Sequence, residues 1–461
     1  MQAANVISLG PQPGFQSTFL ASGADITIGG GAAGCGKTYA EILAGARHMQ
    51  VPGFAAVFFR RTTKQIRNPG GLWDEAGKVY PLLGATPDQQ DNEWHWPSGA
   101  KVKMAHLEHE SNIYDWQGAQ VPLFIFDELT HFTAKMFWYM QSRNRSTCGV
   151  RPYVLATCNP DADSWVAELV AWWIDQDADS PTYGLPLPER AGVLRYFTRL
   201  GDVMVWGDSA QEVIDQAPGV TAIDVNSLTF VPGRLEENVI LETVDPKYRG
   251  KLMAMSRVER ERLLGGNWKV RAVAGDYFKR DEVKILDLLP SDILACSRGW
   301  DLAATEPSEV NKDPDWTFGV KIGRRSNGRF VVIHVAMARK RSDEVRKLVR
   351  QTAEDDGPEV SIALAQDPGQ AGKDQSESYV SLLAGFPVHS EPETGSKETR
   401  ADLFASQWQG GNVEVLRGRW NAEYFSQMEG FPSKGVHDDA VDASSTAFKR
   451  LAAAGNVWDN N

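Results

Sequence analysis

Short apolar runs alternate with helix-like stretches over the first third of the chain. The runs are continuously apolar, which is typical of strands that are covered on both faces of a mostly parallel sheet. They occupy residues 26–28, 55–59, 123–126 and 153–156. Between the second and third runs, residues 93–96 and 101–107 flank Pro97-Ser98-Gly99, and this pattern predicts a hairpin.

A second pattern begins near residue 296, where three strands come first and helices then alternate with strands. Asn327-Gly328 marks a tight turn between the second and third of these strands. A chain of 461 residues, at about 150 residues per domain, suggests two or three domains. We therefore predict an α/β protein with a first domain over 1–270, ending in a small subdomain, a linker over 271–295 and a second domain over 296–461.

Composition narrows the possible partners. The chain carries 48 Lys and Arg against 60 Asp and Glu, a formal net charge of −12, so DNA binding must rely on local basic patches. Its four cysteines form no Cys-x-x-Cys pair, which excludes a disulfide scaffold and a zinc ribbon. The sequence has no apolar run of roughly 18 residues and no secretory signal pattern, so we expect no membrane span.

A glycine-rich segment follows the first apolar run and precedes a helix-like stretch. It fits the pattern G-x-x-x-x-G-K-[ST] with Gly31, Ala32, Ala33, Gly34, Cys35, Gly36, Lys37 and Thr38. The glycines let backbone N–H groups approach phosphate oxygens, Lys37 reaches the β- and γ-phosphates, and the Thr38 hydroxyl binds Mg²⁺. The alternative is a glycine-rich turn that matches by accident.

Polar residues at other strand ends complete this predicted nucleotide site. Asp127 and Glu128 end the third apolar run, where Asp127 can hold Mg²⁺ and Glu128 can polarise the attacking water. Thr157 and Asn159 follow the fourth run and could sense the γ-phosphate, although an Asn-Pro turn explains them as well. Gln16 could read the adenine edge; the alternative is a plain surface glutamine.

Four arginines are candidates for contacting phosphate or for acting in trans on a neighbouring subunit. They are Arg60, Arg61, Arg143 and Arg145. Most surface arginines have no such role, so the arginine that stabilises the transition state stays unassigned.

Acidic residues in the second domain predict a metal-dependent site. Asp301 lies in an apolar strand and Asp367 ends another, while the last helix opens with Asp438, Asp439 and Asp442. In the predicted strand order the first and fourth strands are neighbours, so these carboxylates converge. Two divalent ions about 3.5–4 Å apart could then clamp a scissile phosphate, and oxygen ligands favour Mg²⁺ or Mn²⁺.

Helix capping and dipole complementarity are the alternative for Asp438 and Asp439, but they do not explain a carboxylate inside an apolar strand. Lys397 and Arg400 could meet a DNA backbone or belong to a solvated helix face. Asp315 is interpreted as a turn residue.

The chain resembles the large terminase subunit of tailed bacteriophages. The matching segments are residues 30–38, 124–128, 156–160, 299–303 and 437–442, which follow one another in the family's order. The resemblance implies an N-terminal RecA-like P-loop ATPase of the additional-strand type and a C-terminal RNase H-like nuclease. It implies ATP-driven translocation of double-stranded DNA into a procapsid and metal-dependent cutting of concatemers, with ATP–Mg²⁺ in one site and two divalent ions in the other.

The resemblance also implies partners and residue roles. The partners are a portal protein, a small terminase subunit and further copies of the chain, assembled as a pentamer on the portal, whereas the isolated chain is expected to be a monomer. We expect it in the host cytoplasm, transiently docked on the procapsid and absent from the mature virion. Glu128 becomes the catalytic base, Thr157 and Asn159 the coupling motif, and Asp301, Asp367 and Asp439 metal ligands, with Asp438 and Asp442 in reserve.

One departure and two other functions stay open at this point. Some relatives carry an arginine shortly before the Asp-Glu strand, where this chain has Gln117-Gly118. The first alternative function is a helicase-like repair or recombination ATPase without nuclease activity. The second is a non-enzymatic assembly protein that binds ATP only structurally.

Overall fold

A computed structural model describes residues 9–308, 311–366, 370–393, 395–433 and 435–455. The chain divides into two compact units, one made of the residues up to 253 together with 260–271, the other of 254–259 together with the residues from 272 onward. Most of the stretch 271–295, which the sequence predicts to be a linker, therefore lies in the second unit. It contributes a strand, Lys284–Leu286, to that unit's sheet because this strand pairs in parallel with Val413–Leu416.

The first unit is built around a ten-stranded sheet. Its strands are β1 (Ile26–Gly31), β2 (Ala55–Arg60), β3 (Thr86–Asp88), β4 (Glu93–His95), β5 (Lys101–His106), β6 (Leu123–Asp127), β7 (Tyr153–Cys158), β8 (Arg195–Leu200), β9 (Val203–Gly207) and β10 (Asn226–Gly233). The helices here are α1 (Phe15–Ala21), α2 (Lys37–Ala46), α3 (Thr63–Arg67), α4 (Leu72–Val79), α5 (Ala134–Gln141), α6 (Trp165–Leu169), α7 (Ala210–Gln216), α8 (Val239–Val244), α9 (Tyr248–Met253) and α10 (Arg257–Leu263), the last divided between the units.

The strand order of this sheet is β3-β4-β5-β2-β6-β7-β1-β10-β8-β9. Its six middle strands run parallel, and the four strands predicted from the apolar runs are among them. The predicted hairpin forms as β4 and β5. Strand β7 lies between β1, which leads into the glycine-rich loop, and β6, which ends in Asp127. This inserted strand is the additional strand that the resemblance implies.

Buried aromatic and aliphatic side chains cover both faces of the sheet, as the continuously apolar runs predict. One face packs Phe58 and Ile125 against helices α1, α2 and α4. The other packs Phe59, Phe124 and Phe126 against α5 and α6. The carboxyl ends of the strands are consequently fixed at one edge, where ligands of open α/β sheets bind.

The second unit holds a seven-stranded sheet with five helices of its own. Its strands are β11 (Lys284–Leu286), β12 (Ile293–Asp301), β13 (Thr317–Arg325), β14 (Phe330–Ala338), β15 (Ser361–Gln366), β16 (Val388–Pro392) and β17 (Val413–Leu416). Its helices are α11 (Ser342–Asp356), α12 (Gln370–Leu382), α13 (Lys397–Gln409), α14 (Asn421–Gly430) and α15 (Asp439–Gly455).

The order of this sheet is β11-β17-β14-β13-β12-β15-β16, so β12 and β15 are parallel neighbours, as predicted. Helix α15 lies against β12 at Gly299, where a Cβ would come within 2.2 Å of the Ala443 carbonyl oxygen. Only glycine permits this approach, which brings the start of α15 close to the end of β12. Within the described residues, no helix combines the length and apolar character that a membrane span requires.

Candidate active sites

The glycine-rich loop of the first unit is fixed by backbone hydrogen bonds at both sides. The Ala32 N–H donates to the Gly233 carbonyl (2.9 Å) and the Ala33 N–H to the Leu263 carbonyl (2.6 Å). Gly36 caps α2 with φ +89°, and a Cβ there would lie 2.2 Å from Nε2 of Gln16. The loop therefore directs the N-terminal end of α2 towards the position predicted for the phosphates.

Lys37, Asn159 and Glu128 form a continuous chain of hydrogen bonds. Nζ of Lys37 donates to Oδ1 of Asn159 (2.8 Å), and Nδ2 of Asn159 donates to Oε1 of Glu128 (3.0 Å). The Asn159 backbone N–H reaches the second Glu128 oxygen at 3.3 Å. Glu128 has φ +63°, a left-handed conformation that a non-glycine residue adopts only where its surroundings hold it. The amide of Asn159 thus joins the phosphate-binding lysine to the predicted base.

Asp127 is held by an ion pair beside this chain. Its carboxylate accepts hydrogen bonds from Nε of Arg60 (2.6 Å) and from Oγ1 of Thr157 (3.4 Å). Burial raises the pKa of Asp127 to about 6, although the Arg60 guanidinium opposes this shift. Arg60 is therefore engaged within the subunit.

The other candidate arginines are also engaged with their own unit. Arg61 donates to the Leu107 carbonyl, and Arg145 donates to the Ala119 carbonyl. The Arg143 guanidinium lies over the ring of Tyr139. None of these contacts identifies an arginine that would act in trans.

Gln16 lies under the glycine-rich loop and is 2% exposed. Its Nε2 donates to the Gly36 carbonyl at 3.3 Å, and its Oε1 accepts from the Gln12 N–H at 2.8 Å. Asn238 supports the same loop, since its Nδ2 donates to the Gly34 carbonyl at 2.7 Å. Both ends of the Gln16 amide are therefore used in holding the loop, and its predicted contact with adenine stays a prediction.

A buried carboxyl on α2 was not predicted from the sequence. Glu41 is fully buried, and the Thr157 side chain is the nearby group that stabilises its ionised carboxylate by hydrogen bonding. Burial, followed by the negative charge of Asp127, raises its pKa well above the ordinary value. A glutamate one helical turn after Lys37, between Ala40 and Ile42 on a buried helix, is the signal that could have revealed it.

In the second unit, the predicted acids line one cavity of about 260 Å³. The acidic side chains in its wall are Asp301, Asp315, Glu393, Asp438, Asp439 and Asp442, and the cations are Lys397 and Arg400. The predicted convergence of β12 with the start of α15 is therefore present. Asp367 lies outside the described residues, so its predicted role as a ligand stays a prediction.

Two of these carboxyls are strongly perturbed. Burial, together with the nearby charges of Asp442 and Asp439, raises the pKa of Asp301 well above its usual range. Burial raises the pKa of Asp439 to about 6, and the charge of Asp315 adds to the shift. A cavity that disfavours ionised carboxylates in this way is one in which a cation would be stabilised.

The remaining acids are paired with cations of α13. Nζ of Lys397 lies 2.7 Å from Oδ1 of Asp438 and 3.3 Å from Oδ2 of Asp442. Nη2 of Arg400 lies 2.9 Å from Oδ1 of Asp442 and 3.2 Å from Oε2 of Glu393. Burial lowers the pKa of Lys397, but the adjacent aspartates outweigh it and raise the pKa above its ordinary value. These contacts place Lys397 and Arg400 in the site rather than on a solvated helix face.

Asp315 is a wall residue of this cavity as well as a turn residue. Its carboxylate lies 3.4 Å from Nδ1 of His437, and Nε2 of the same ring lies 3.0 Å from Asp313. His437 thus joins the segment before β13 to the start of α15. Neither His437 nor Glu393 was predicted from the sequence, because their partners are distant in the chain.

The donor set of the cavity suits a hard divalent ion. Oδ2 of Asp439 is buried and accepts no hydrogen bond, and the cavity wall offers carboxylate oxygens. Within the described residues, however, no three His, Cys, Asp or Glu side chains gather closely enough to hold one ion. Asp301 and Asp439 are the described residues that would hold it.

Comparison with solved structures supports the two-domain fold. The large terminase from a thermophilic bacteriophage, in its second crystal form, is 14% identical, with a TM-score of 0.65 over 96% of this chain and 100% of that one. The same phage protein has been solved with ATP-γ-S (14% identity, TM-score 0.59) and with ADP (13% identity, TM-score 0.60), each over 95% of this chain and 98% of that one. No curated protein matches the chain.

Family comparisons cover both units. A sequence model described as "Terminase large subunit, T4likevirus-type, N-terminal" matches residues 28–285. A second, described as "Terminase RNaseH-like domain", matches residues 298–451. The predicted RecA-like and RNase H-like fold classes are thus confirmed, and the chain belongs to the large terminase family, with an ATPase domain and a nuclease-type domain.

Proposed function

We propose that the first unit hydrolyses ATP to translocate double-stranded DNA and that the second unit cuts this DNA in a metal-dependent reaction. One observation carries the proposal: a single chain holds two separate charged sites at the ends of sheet strands. The first site is the series of hydrogen bonds that links Lys37, Asn159 and Glu128. The second is the acid-lined cavity at Asp301.

In the first site, the residues act on ATP as follows. Lys37 exchanges the Asn159 oxygen for phosphate oxygens, and the loop N–H groups bind the same anion. Glu128, still oriented by the backbone N–H of Asn159, accepts the proton of the attacking water. Thr38 and Asp127 would hold the Mg²⁺ that accompanies ATP. The complexes of the thermophilic phage terminase with ATP-γ-S and ADP support the assignment of a nucleotide to this fold.

In the second site, Asp301 and Asp439 would hold divalent ions, with Asp367 as the third predicted ligand. When bound, such ions activate water and neutralise the charge of the scissile phosphate. Arg400 and Lys397 supply the positive charge in the cavity wall, where the other charged side chains are carboxylates that would repel a phosphodiester. We propose Mg²⁺ or Mn²⁺ as the ions, because every acidic ligand offers oxygen.

Membership of the large terminase family supports partners beyond DNA. We propose a portal protein and a small terminase subunit as partners, with about five copies of the chain acting together on the portal and a monomer in isolation. The place of action would be the host cytoplasm, at the procapsid, and not the mature virion.

Two variants test the proposal on the full chain. Lys37→Ala should abolish ATP hydrolysis and leave plasmid cleavage in Mn²⁺ intact. Asp301→Asn should abolish plasmid cleavage and leave ATP hydrolysis intact. Lys78→Ala, an exposed lysine on α4, is the matched control for charge removal. Cleavage that survives in Asp301→Asn would contradict the assignment of the nuclease site to this cavity, and an unaltered protein that hydrolyses ATP but cuts no plasmid would favour a repair ATPase. ATP turnover that survives in Lys37→Ala would contradict the motor.

A further inference from the structure

The carboxylates of the nuclease cavity fall into two groups by their partners. Asp438 is fully engaged with α13, because Nζ of Lys397 lies 2.7 Å and 2.8 Å from its two oxygens. Asp442 is engaged with both α13 cations, at 3.3 Å from Lys397 and 2.9 Å from Arg400. We name these two aspartates the paired edge of the cavity.

Asp301 and Asp439 form the other group, the open edge. Within the described residues, the Asp301 carboxyl makes no hydrogen bond or ion pair, although it lines the same cavity. Oδ2 of Asp439 is buried without a hydrogen-bond donor, and Nδ1 of His437 is 3.7 Å away, beyond hydrogen-bond distance. The buried Asp439 carboxyl and the partly buried Asp301 carboxyl have no cation at hydrogen-bond distance among the described residues, which is costly unless a proton or a metal ion neutralises them.

Helix geometry explains why the two groups separate. Lys397 and Arg400 are three residues apart on α13, and Asp438 and Asp442 are four residues apart at the start of α15, so each pair shares one helix face. Asp439 points away from this cation pair, towards the segment before β13, where the Trp316 backbone donates to it. The paired edge is therefore neutralised by residues of the chain itself, and the open edge is not.

We propose that Lys397 is a positioning residue that keeps its own ammonium on the paired edge and thereby confines divalent ions to the open edge. This inference rests on the proposed metal-dependent nuclease. A lysine on a tether neutralises Asp438 and Asp442 without an ion from solution. Without that ammonium, Asp438 has no cation and Asp442 keeps only Arg400 among the described residues, so these two aspartates become an additional site for a hard cation.

The test is a Mn²⁺ titration of the full chain without DNA or nucleotide. Binding is measured by calorimetry and by the electron paramagnetic resonance signal of free Mn²⁺. Lys397→Met should bind one more Mn²⁺ per chain than the unaltered protein, or bind Mn²⁺ on the order of tenfold more tightly. Lys397→Arg, which keeps the charge, should titrate like the unaltered protein. Lys373→Met on α12, an exposed lysine in the same unit, is the matched control and should change nothing.

The two edges are then compared directly. Asp439→Asn should lose Mn²⁺ binding at least tenfold, whereas Asp438→Asn should bind Mn²⁺ like the unaltered protein. The inference is overturned if Lys397→Met titrates like the unaltered protein, or if Asp438→Asn loses as much binding as Asp439→Asn. Circular dichroism verifies folding, and Lys397→Gln replaces Lys397→Met if that variant does not melt cooperatively. An unaltered protein that binds no Mn²⁺ would instead contradict the proposed nuclease chemistry itself.

Discussion

The two sites of this chain neutralise their charges in opposite ways. In the ATPase site, Lys37 is bound to Asn159 and Asp127 to Arg60, so protein partners already satisfy the reacting groups. In the nuclease cavity, six carboxylates face two cations, and Asp301 and Asp439 stay without a cationic partner at hydrogen-bond distance among the described residues.

This difference shows what each ligand must do on arrival. ATP has to replace existing hydrogen bonds, so its binding energy is used to release Lys37 and Asn159 from each other, which couples binding to a rearrangement. A metal ion in the nuclease cavity would break no such bond at the open edge and would instead displace protons from Asp301 and Asp439, whose pKa values are raised. Lys37, Asn159 and Asp127 of the first site already have protein partners, whereas Asp301 and Asp439 of the second have no cationic partner at hydrogen-bond distance among the described residues.

The largest effect should follow from the base of the ATPase site. Glu128→Gln keeps the hydrogen bond from the Asn159 backbone but cannot take a proton, so ATP turnover should fall by roughly 10²–10⁴-fold. Nucleotide affinity, measured by equilibrium binding, should change only a few-fold. Glu110→Gln, a half-exposed glutamate that pairs with Lys135, is the control. Turnover within threefold of the unaltered protein would exclude Glu128 as the base.

Removing Arg60 should leave the buried carboxylate of Asp127 without its cation. Arg60→Met leaves the 2%-exposed carboxylate of Asp127 without its guanidinium, so we expect a loss of about 3 kcal/mol in the free energy of unfolding. Adding Asp127→Asn to that variant should recover part of the loss, because no buried charge then lacks a partner. Denaturant titration measures both values, and an unchanged stability in Arg60→Met would contradict the importance of this ion pair.

Asn159 should separate binding from turnover. In Asn159→Ala the lysine no longer has to leave an amide oxygen, while Glu128 loses its side-chain donor. We expect kcat to fall on the order of tenfold to a hundredfold while KM for ATP stays equal or falls. Steady-state phosphate release gives both constants. A rise in KM with an unchanged kcat would show that Asn159 serves binding alone.

The smallest effect is a pH dependence of Mn²⁺ binding in the nuclease cavity. Since the pKa of Asp439 is raised to about 6, Mn²⁺ has to displace its proton below that pH, and Mn²⁺ affinity should fall by roughly tenfold per pH unit. The raised pKa values of Asp439 and Asp127 make the folded chain bind these protons more tightly than the unfolded chain, so stability without metal should decrease as pH rises from about 3.8 to about 6. Calorimetry across this range measures both the Mn²⁺ affinity and the stability. A Mn²⁺ affinity that does not change with pH would contradict the raised pKa of Asp439.

Much of this arrangement could be predicted from the sequence, because local spacing carries it. The pattern around Lys37, the strand ending in Asp127 and the aspartates of α15 each follow from a short segment, and the strand order places Asp301 near α15. What could not be predicted is the pairing of residues that are distant in the chain. Arg60 resembled a phosphate-binding arginine, and its partner Asp127 is 67 residues away.

The sequence also did not reveal which carboxylates of the nuclease cavity are paired with cations. Lys397 and Asp438 lie 41 residues apart, and only the packing of α13 beside α15 brings them together. Glu41 had no visible role, because a glutamate on an amphipathic helix is normally solvated. Sequence spacing thus predicted the candidate reacting groups, whereas tertiary packing decided which of them are already neutralised.

A crystal of the full chain soaked in Mn²⁺ without nucleotide or DNA tests the central comparison most directly. We predict anomalous density beside Asp301 and Asp439, no density between Asp438 and Asp442, and Lys37 still bound to Asn159. An ion seated on Asp438 and Asp442 with Lys397 displaced, or a cavity that stays empty at saturating Mn²⁺, would contradict this comparison.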